Sequence, residues 1–210
     1  MIRRAAREIE PGMIVNLGIG LPTQVIDQLP PDMPVCLHSE NGISGIGPTQ
    51  PYDKADRNLI DAGGAYVSPL PGSAYFDSAT SFALVRGGRL DLTMLGAFEV
   101  SMTGDLANWK IPGLFTPGAG GGIELAQKAR KVVILTTHQD RKGRSKIVRE
   151  CSLPLTAKAC VDRVFTDMAV IDISPEGPVL CEVREGLSVK DVVAATDAPL
   201  IIPKGEMPRF

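Results

Sequence analysis

Short apolar runs alternate with helix-patterned stretches along this chain, and no other feature limits its fold as strongly. Met13-Ile14-Val15-Asn16-Leu17 reads as a strand and Gly18-Ile19-Gly20 as the loop after it. Pro22 to Leu29 reads as a short helix, opened by its proline and stopped by Pro30-Pro31. Met33 to Leu37 is the next strand. Ala65 to Leu70 looks extended and ends at Pro71-Gly72. Tyr75 to Val85 fits a helix with Phe76, Ala79, Phe82 and Ala83 on one face, stopped by Gly87-Gly88. Leu90 to Leu95 reads as a strand that continues toward Phe98. Ile123 to Arg130 is helical, Val132 to Thr137 is a β-branched buried strand, and Val161 to Thr166 is another. This βαβα order predicts a mostly parallel sheet with helices on both faces. Near the end, Met168 to Ile173 and Val179 to Val183 flank the turn sequence Ser174-Pro175-Glu176-Gly177 and predict a hairpin, hence a mixed sheet. Ser188-x-x-Asp191 resembles a capping box and opens a last helix to Ala195. Ser44 to Asn58, polar and glycine-rich, predicts no regular element. Ser101 to Pro117 predicts a loop holding the one tryptophan, Trp109.

The length, 210 residues with no internal repeat or linker, predicts one domain over 1–210. Charged residues make up 22% and the formal net charge is −2 with no basic block, so nothing favours nucleic acid or an anionic membrane surface. No apolar run is long enough for a membrane span or a signal-peptide core, and a cytoplasmic protein is the expectation. The four cysteines are far apart and predict free thiols. The two histidines, His38 and His138, lie on different strands without a ligand pattern, so no metal site is expected.

The chemistry concentrates at Leu37-His38-Ser39-Glu40-Asn41-Gly42. A glutamate at the carboxyl end of a buried strand costs desolvation unless it has a partner or a task there. The Asn-Gly pair bends the chain and would stand Glu40 at the lip of the sheet, where open α/β sheets place ligands. Gly18-Ile19-Gly20 fails as a dinucleotide fingerprint, since Thr23 occupies the third glycine position, and no Walker loop occurs. Gly118 to Gly122 precedes a helix and reads either as a flexible connector or as a set of backbone donors for an oxyanion. His38 reads as a packed or capping residue, Trp109 as a roof over the core or a substrate contact. Arg141, Lys142, Arg144 and Lys146 read as a solvated turn or, less simply, as a contact for a phosphate.

In order along the chain stand Asn16-Leu17-Gly18-Ile19-Gly20-Leu21-Pro22-Thr23, Ser39-Glu40-Asn41-Gly42, Leu70-Pro71-Gly72-Ser73, Phe76-Asp77-Ser78-Ala79 and Arg86-Gly87-Gly88. Leu95-Gly96-Ala97-Phe98, Gly104-Asp105-Leu106-Ala107-Asn108-Trp109, Ile111-Pro112-Gly113, the Gly118 to Gly122 cluster, Pro154-Leu155-Thr156 and Cys160-Val161-Asp162-Arg163 follow. With these motifs, from about Gly12 to Ala198, the chain resembles the B (beta) subunit of family I coenzyme A transferases, the 3-oxoacid group. The resemblance implies the CoA-transferase (NagB/RpiA-like) fold. It implies Glu40 as a covalent nucleophile that reacts in ping-pong fashion through a glutamyl-CoA thioester. It implies Gly18, Gly20, Asn41, Gly42, Gly120 and Gly121 as substrate, CoA or oxyanion contacts, and coenzyme A as a substrate with no bound cofactor. It further implies an A (alpha) subunit that completes the cleft, and an exchange between an acyl-CoA such as succinyl-CoA and a carboxylic acid such as acetoacetate or 3-oxoadipate. Relatives commonly have Gly-Gly-Ala-Met-Asp-Leu where this chain has Gly120-Gly121-Gly122-Ile123-Glu124-Leu125. Three readings stay open at this point: a CoA-transferase subunit, an acyl-CoA hydrolase or sugar-phosphate isomerase-like enzyme on the same fold, and a non-catalytic partner.

Overall fold

The computed structural model describes residues 1–30, 32–114 and 118–210. Its strands are β1 (Ile14–Leu17), β2 (Cys36–Ser39), β3 (Ile43–Thr49), β4 (Val67–Tyr75), β5 (Leu92–Leu95) and β6 (Glu99–Ser101). They continue as β7 (Leu106–Ala107), β8 (Val132–Leu135), β9 (Ile147–Val148), β10 (Arg163–Phe165), β11 (Ala169–Ser174) and β12 (Gly177–Val183). The α-helices are α1 (Ile2–Ala5), α2 (Ser78–Arg86), α3 (Gly122–Lys128) and α4 (Val189–Ala195), and Pro22–Gln28 is a 3₁₀ helix. A nine-stranded sheet runs β12-β11-β10-β8-β5-β1-β2-β3-β4, and β7-β6-β9 form a small second sheet.

From β10 to β2 the large sheet is parallel. The β11–β12 hairpin adds the expected antiparallel edge, and β3 and β4 add a second one. Alternation along β5 and β8 divides their side chains between two cores. Leu92, Met94, Val133 and Leu135 pack with Ala5, Val25 and Phe165 beneath the N-terminal turns and the 3₁₀ helix. Leu95, Val132 and Ile134 pack with Val85, Leu125 and Val192 of α2, α3 and α4. Every residue of β5 and β8 is therefore buried, which is why β8 reads as an unbroken apolar run and β5 as one interrupted only by Thr93.

Several expectations need correction. Ser44 to Asn58 is not wholly irregular, because β3 runs to Thr49; its glycines hid it. Gly45 adopts φ +79°, and a Cβ on Gly47 would lie 3.0 Å from the Ser68 carbonyl, so both mark the irregular register of this pair. The extended run at Ala65 does not stop at Pro71-Gly72: β4 continues to Tyr75. Pro69 and Pro71 are tolerated because β4 is the last strand of the sheet, where an absent N–H interrupts no central ladder. The helix expected from Tyr75 begins at Ser78, where the Asp77 carboxylate caps it by accepting from Thr80 N at 2.7 Å. Its buried positions are Ser81 and Val85 with Phe82 half-buried, while Ala79 and Ala83 are exposed and Phe76 precedes the helix. The second strand is shifted to Cys36–Ser39, and the one from Leu90 ends at Leu95, after which β6 joins the small sheet. The Ser101 to Pro117 loop contains β7, and its residues 115–117 lie outside the described residues, as does the second proline of the Pro30-Pro31 stop. The capping box is present: Asp191 N donates to Ser188 Oγ at 3.2 Å and Ser188 N to Asp191 Oδ2 at 2.7 Å.

An ion network ties the N-terminal turn to the amino ends of the central strands. Buried Glu8 accepts from Arg4 (3.2 Å), Lys131 (2.7 Å) and Arg163 (2.8 Å); Arg163 also pairs with Asp172, and Arg4 with Glu182 at 2.6 Å. Burial pushes the Glu8 carboxyl up, but Lys131 and Arg163 outweigh it and hold it below its ordinary value.

Candidate active site

In the parallel sheet β1 has β2 on one side and β5 on the other. The crevice beyond the carboxyl ends of these strands is where such sheets bind ligands. Glu40 follows β2, Gly18 follows β1 and Gly96 follows β5, so the order of the strands alone brings Glu40 and Gly18 to one edge.

Ser39 pairs with Ile43 across the β2–β3 hairpin, leaving Glu40, Asn41 and Gly42 as its loop. Gly42 has φ +120°; its amide donates to Ser39 O and its carbonyl accepts from Phe76 N, each at 3.0 Å. A Cβ there would lie 2.0 Å from the Phe76 carbonyl oxygen, so only glycine fits. Asn41 donates to Ile60 O at 2.6 Å, and Ser39 Oγ accepts from Ala62 N at 2.8 Å. The loop carrying Glu40 is thus clamped to the turn before β4.

The residue that holds Glu40 is one that the sequence does not single out. Asn16, on β1 and 1% exposed, donates through Nδ2 to Glu40 Oε2 at 3.0 Å and to His38 O at 3.1 Å. Its Oδ1 accepts from Thr93 Oγ1 on β5 at 3.3 Å. A buried amide is retained only when its donors and acceptor are used, and here they join three neighbouring strands. The signal was present: a lone asparagine inside an apolar strand. Glu40 Oε1 accepts no hydrogen bond among the described residues.

The glycine cluster also reaches Glu40. A Cβ on Gly121 would sit 3.0 Å from the Phe82 ring and 3.1 Å from Glu40 Cγ, so the bare backbone is what lets the loop close on the carboxylate. Gly121 is the residue before α3, and Gly120 has φ +50°. Gly18 lies in the crevice, yet its amide donates to Met94 O at 2.8 Å, so it has no donor left for an oxyanion. Gly20, φ +96°, is exposed at the loop tip beside Ile19.

His38 is buried, with Nε2 2.9 Å from Ser81 Oγ and its ring stacked on Phe76. Burial lowers its pKa against the opposing pull of Glu40, so it is neutral at pH 7, in keeping with a packing role. Trp109 is half-buried, its indole donating to Leu155 O at 3.1 Å. Arg144 pairs with Asp140 at 2.6 Å in an exposed turn. Among the described residues no group of three or more His, Cys, Asp or Glu side chains could hold a metal, and no helix is long and apolar enough to cross a membrane.

A cavity of about 600 Å³ opens beside Glu40, bounded by the Gly18–Gly20 loop, the 3₁₀ helix, β2 and the β3–β4 hairpin. Glu40 therefore sits in a crevice large enough for a small-molecule substrate, with its side chain oriented by a buried amide and its methylene pressed by a glycine loop.

Comparison with known proteins agrees with this geometry. A family described as coenzyme A transferase matches residues 1–195. The beta subunit of a probable coenzyme A transferase of Bacillus subtilis is 47% identical over 200 residues, covering 95% of this chain and 92% of its own. The B subunit of the succinyl-CoA:3-ketoacid coenzyme A transferase of Helicobacter pylori is 45% identical over 198 residues, covering 94% and 95%. The solved acyl-CoA transferase apoenzyme of Escherichia coli O157:H7 superposes with a TM-score of 0.76 at 21% identity, over 100% of this chain and 42% of its own, and so shares the fold.

Proposed function

This chain belongs to the coenzyme A transferase family, and from that premise we propose that it is the B subunit of a 3-oxoacid CoA-transferase with Glu40 as covalent nucleophile. The observation that carries this is the Glu40 carboxylate at the carboxyl edge of the sheet, held through Oε2 by Asn16 with Oε1 left without a protein donor among the described residues. A carboxylate is a weak nucleophile in water because it is solvated; fixed dipoles in a closed crevice replace that shell without reorganising.

Glu40 attacks the thioester carbonyl of an acyl-CoA. The C–S bond breaks, giving an acyl–glutamyl anhydride and CoA thiolate. The thiolate attacks the glutamyl carbonyl, which releases the first carboxylate and leaves a glutamyl-CoA thioester. The second acid's carboxylate attacks that thioester, forms a new anhydride and again frees CoA thiolate. The thiolate takes the new acyl group and restores Glu40. No water or proton is consumed, and the kinetics are ping-pong. Each tetrahedral intermediate carries an oxyanion, for which backbone amides of Gly20, Gly120 and Gly121 are the candidate donors, since the Gly18 and Gly42 amides are committed elsewhere. Coenzyme A enters as substrate. A partner A subunit supplies the other wall of the crevice, and succinyl-CoA is the first donor to try.

An acyl-CoA hydrolase on this fold, the alternative open from sequence, finds no support in the family or its relatives. The test uses the reconstituted A–B pair with acyl-CoA and no acceptor, followed by borohydride. Reduction of a glutamyl thioester, located at Glu40 by peptide mass, is the expected result. Steady release of CoA with Glu40 unmodified would instead be hydrolysis, and an undiminished exchange rate in Glu40→Ala would end the proposal.

A further inference from the structure

The cavity beside Glu40 has a charge pattern that bears on the acid it accepts. Much of its lining is apolar, with Ile26, Leu29, Met33, Val35, Leu37 and Val67, and its uncharged polar side chains include Thr23, Gln24 and Thr49. Leu37 stands three residues before Glu40, about 10 Å at strand rise, which matches a short aliphatic chain extending from a carbonyl at the carboxylate. Among the described residues, the charged side chains of the lining are Glu40, Asp27 and Asp61, all acidic, with no lysine or arginine. His38 supplies no cation there, since burial keeps it neutral. A second carboxylate at the far end of such a chain would enter an acid-flanked cavity with no counter-charge among the described residues.

Resting on the reading of Glu40 as the acylated residue, we propose that this cavity receives the uncharged aliphatic tail of a monocarboxylic acyl group and rejects the distal carboxylate of a dicarboxylate long enough to reach into it. The preferred acids are then short-to-medium aliphatic acids and their 3-oxo forms. A succinyl group is short enough to keep its distal carboxylate at the cavity mouth, so succinyl-CoA stays compatible as a donor. Oxyanion donors and the thioester end of CoA are common to all of these acids, so discrimination comes from the tail alone.

The test compares acceptors of equal length on the reconstituted A–B pair: hexanoate against adipate, and 3-oxohexanoate against 3-oxoadipate, each with the same acyl-CoA donor. The expected result is a kcat/KM at least about 100-fold higher for each monocarboxylate, since an unpaired carboxylate would be buried. Val35→Phe, which fills the cavity, should lower the hexanoate-to-acetate ratio of kcat/KM at least about tenfold, roughly what lost chain burial costs. Equal or better use of the dicarboxylates, or an unchanged ratio in Val35→Phe, overturns the proposal. Trapping of the glutamyl-CoA thioester at Glu40 in the same samples separates this from failure of the underlying reading: a trapped adduct with a dicarboxylate preference sinks only the cavity assignment.

Discussion

Asn16 does for Glu40 what no nearby residue in sequence could do. Its amide reaches from the adjacent strand, is wholly buried, and fixes one carboxylate oxygen while bonding the β2 backbone and Thr93. Asn16→Ala should lower kcat by about 10²–10³, as loss of one preorganised donor does, with a smaller change in KM. Steady-state kinetics of the reconstituted pair check this, and the rate of glutamyl-thioester formation shows whether the lost step is the covalent one. Gly121→Ala tests the opposite wall. The added methyl meets Phe82 and Glu40 Cγ at about the distance where something must shift, so activity should fall at least about tenfold while the thermal midpoint moves little. If kcat is untouched, the glycine loop does not abut the working carboxylate. The position of Glu40 at the end of a strand was legible in the sequence, from the apolar run before it and the Asn-Gly turn after it. Asn16 was not, because its value lies in a contact between strands that no spacing reveals.

The elements were legible where burial decides them and obscure where edges do. β5 and β8 are covered on both faces and announced themselves; β3 and β4 lie at an edge and tolerate glycine bulges and prolines, so β3 read as loop and β4 only as the shorter extended run Ala65 to Leu70. His138 joins β8 to the elements beside it. Its Nδ1 lies 2.9 Å from Thr166 Oγ1 and its Nε2 2.8 Å from Thr196 Oγ1 at the end of α4. Burial lowers its pKa below the ordinary 6.5, against the pull of Asp167. The folded state therefore binds fewer protons than the unfolded chain just below that value. Stability should fall as pH drops beneath about 6.5 and continue to fall until the folded imidazole itself titrates. Urea midpoints between about pH 5 and 8 should show this slope, and it should be shallower in His138→Gln. An identical slope would mean His138 does not carry it; buried His38 and the Met1 amino group, both shifted down by burial, contribute in the same direction.

At the scale of the molecule, one edge of the sheet carries the Glu40 crevice and the other an ion network. Glu8 meets three cations there, with its side chain only 6% exposed. Glu8→Ala strands Lys131 and part of Arg163, and should cost about 3 kcal/mol in denaturant unfolding. Because the Glu8 carboxyl is held below its ordinary value in the fold, its contribution is present above 4.5 and is lost as pH falls through the folded value. If the midpoint of Glu8→Ala matches wild type at pH 7, the network is ornamental to stability. The other edge has an open crevice with exposed Ile19 at its mouth, and on the proposed reading a second polypeptide completes it. The purified protein should exchange no CoA alone and gain activity on mixing with its A partner, with co-elution on a sizing column; full activity of the isolated chain would refute the shared cleft.

What the amino-acid order determined without help was the alternation of elements, and with it the parallel sheet, its late hairpin, the Ser188 cap and the place of Glu40 at a strand end. Those follow from local rules: side-chain periodicity, capping and turn chemistry act within a few residues of the chain. The tertiary structure alone decided that β1 stands between β2 and β5, that Asn16 grips Glu40, that Gly121 arrives from far along the chain, and that a cavity with no lysine or arginine among its described lining residues opens beside them. Such contacts depend on which strands lie side by side and how closely two backbones approach, and both are set by packing of the whole sheet rather than by any one segment.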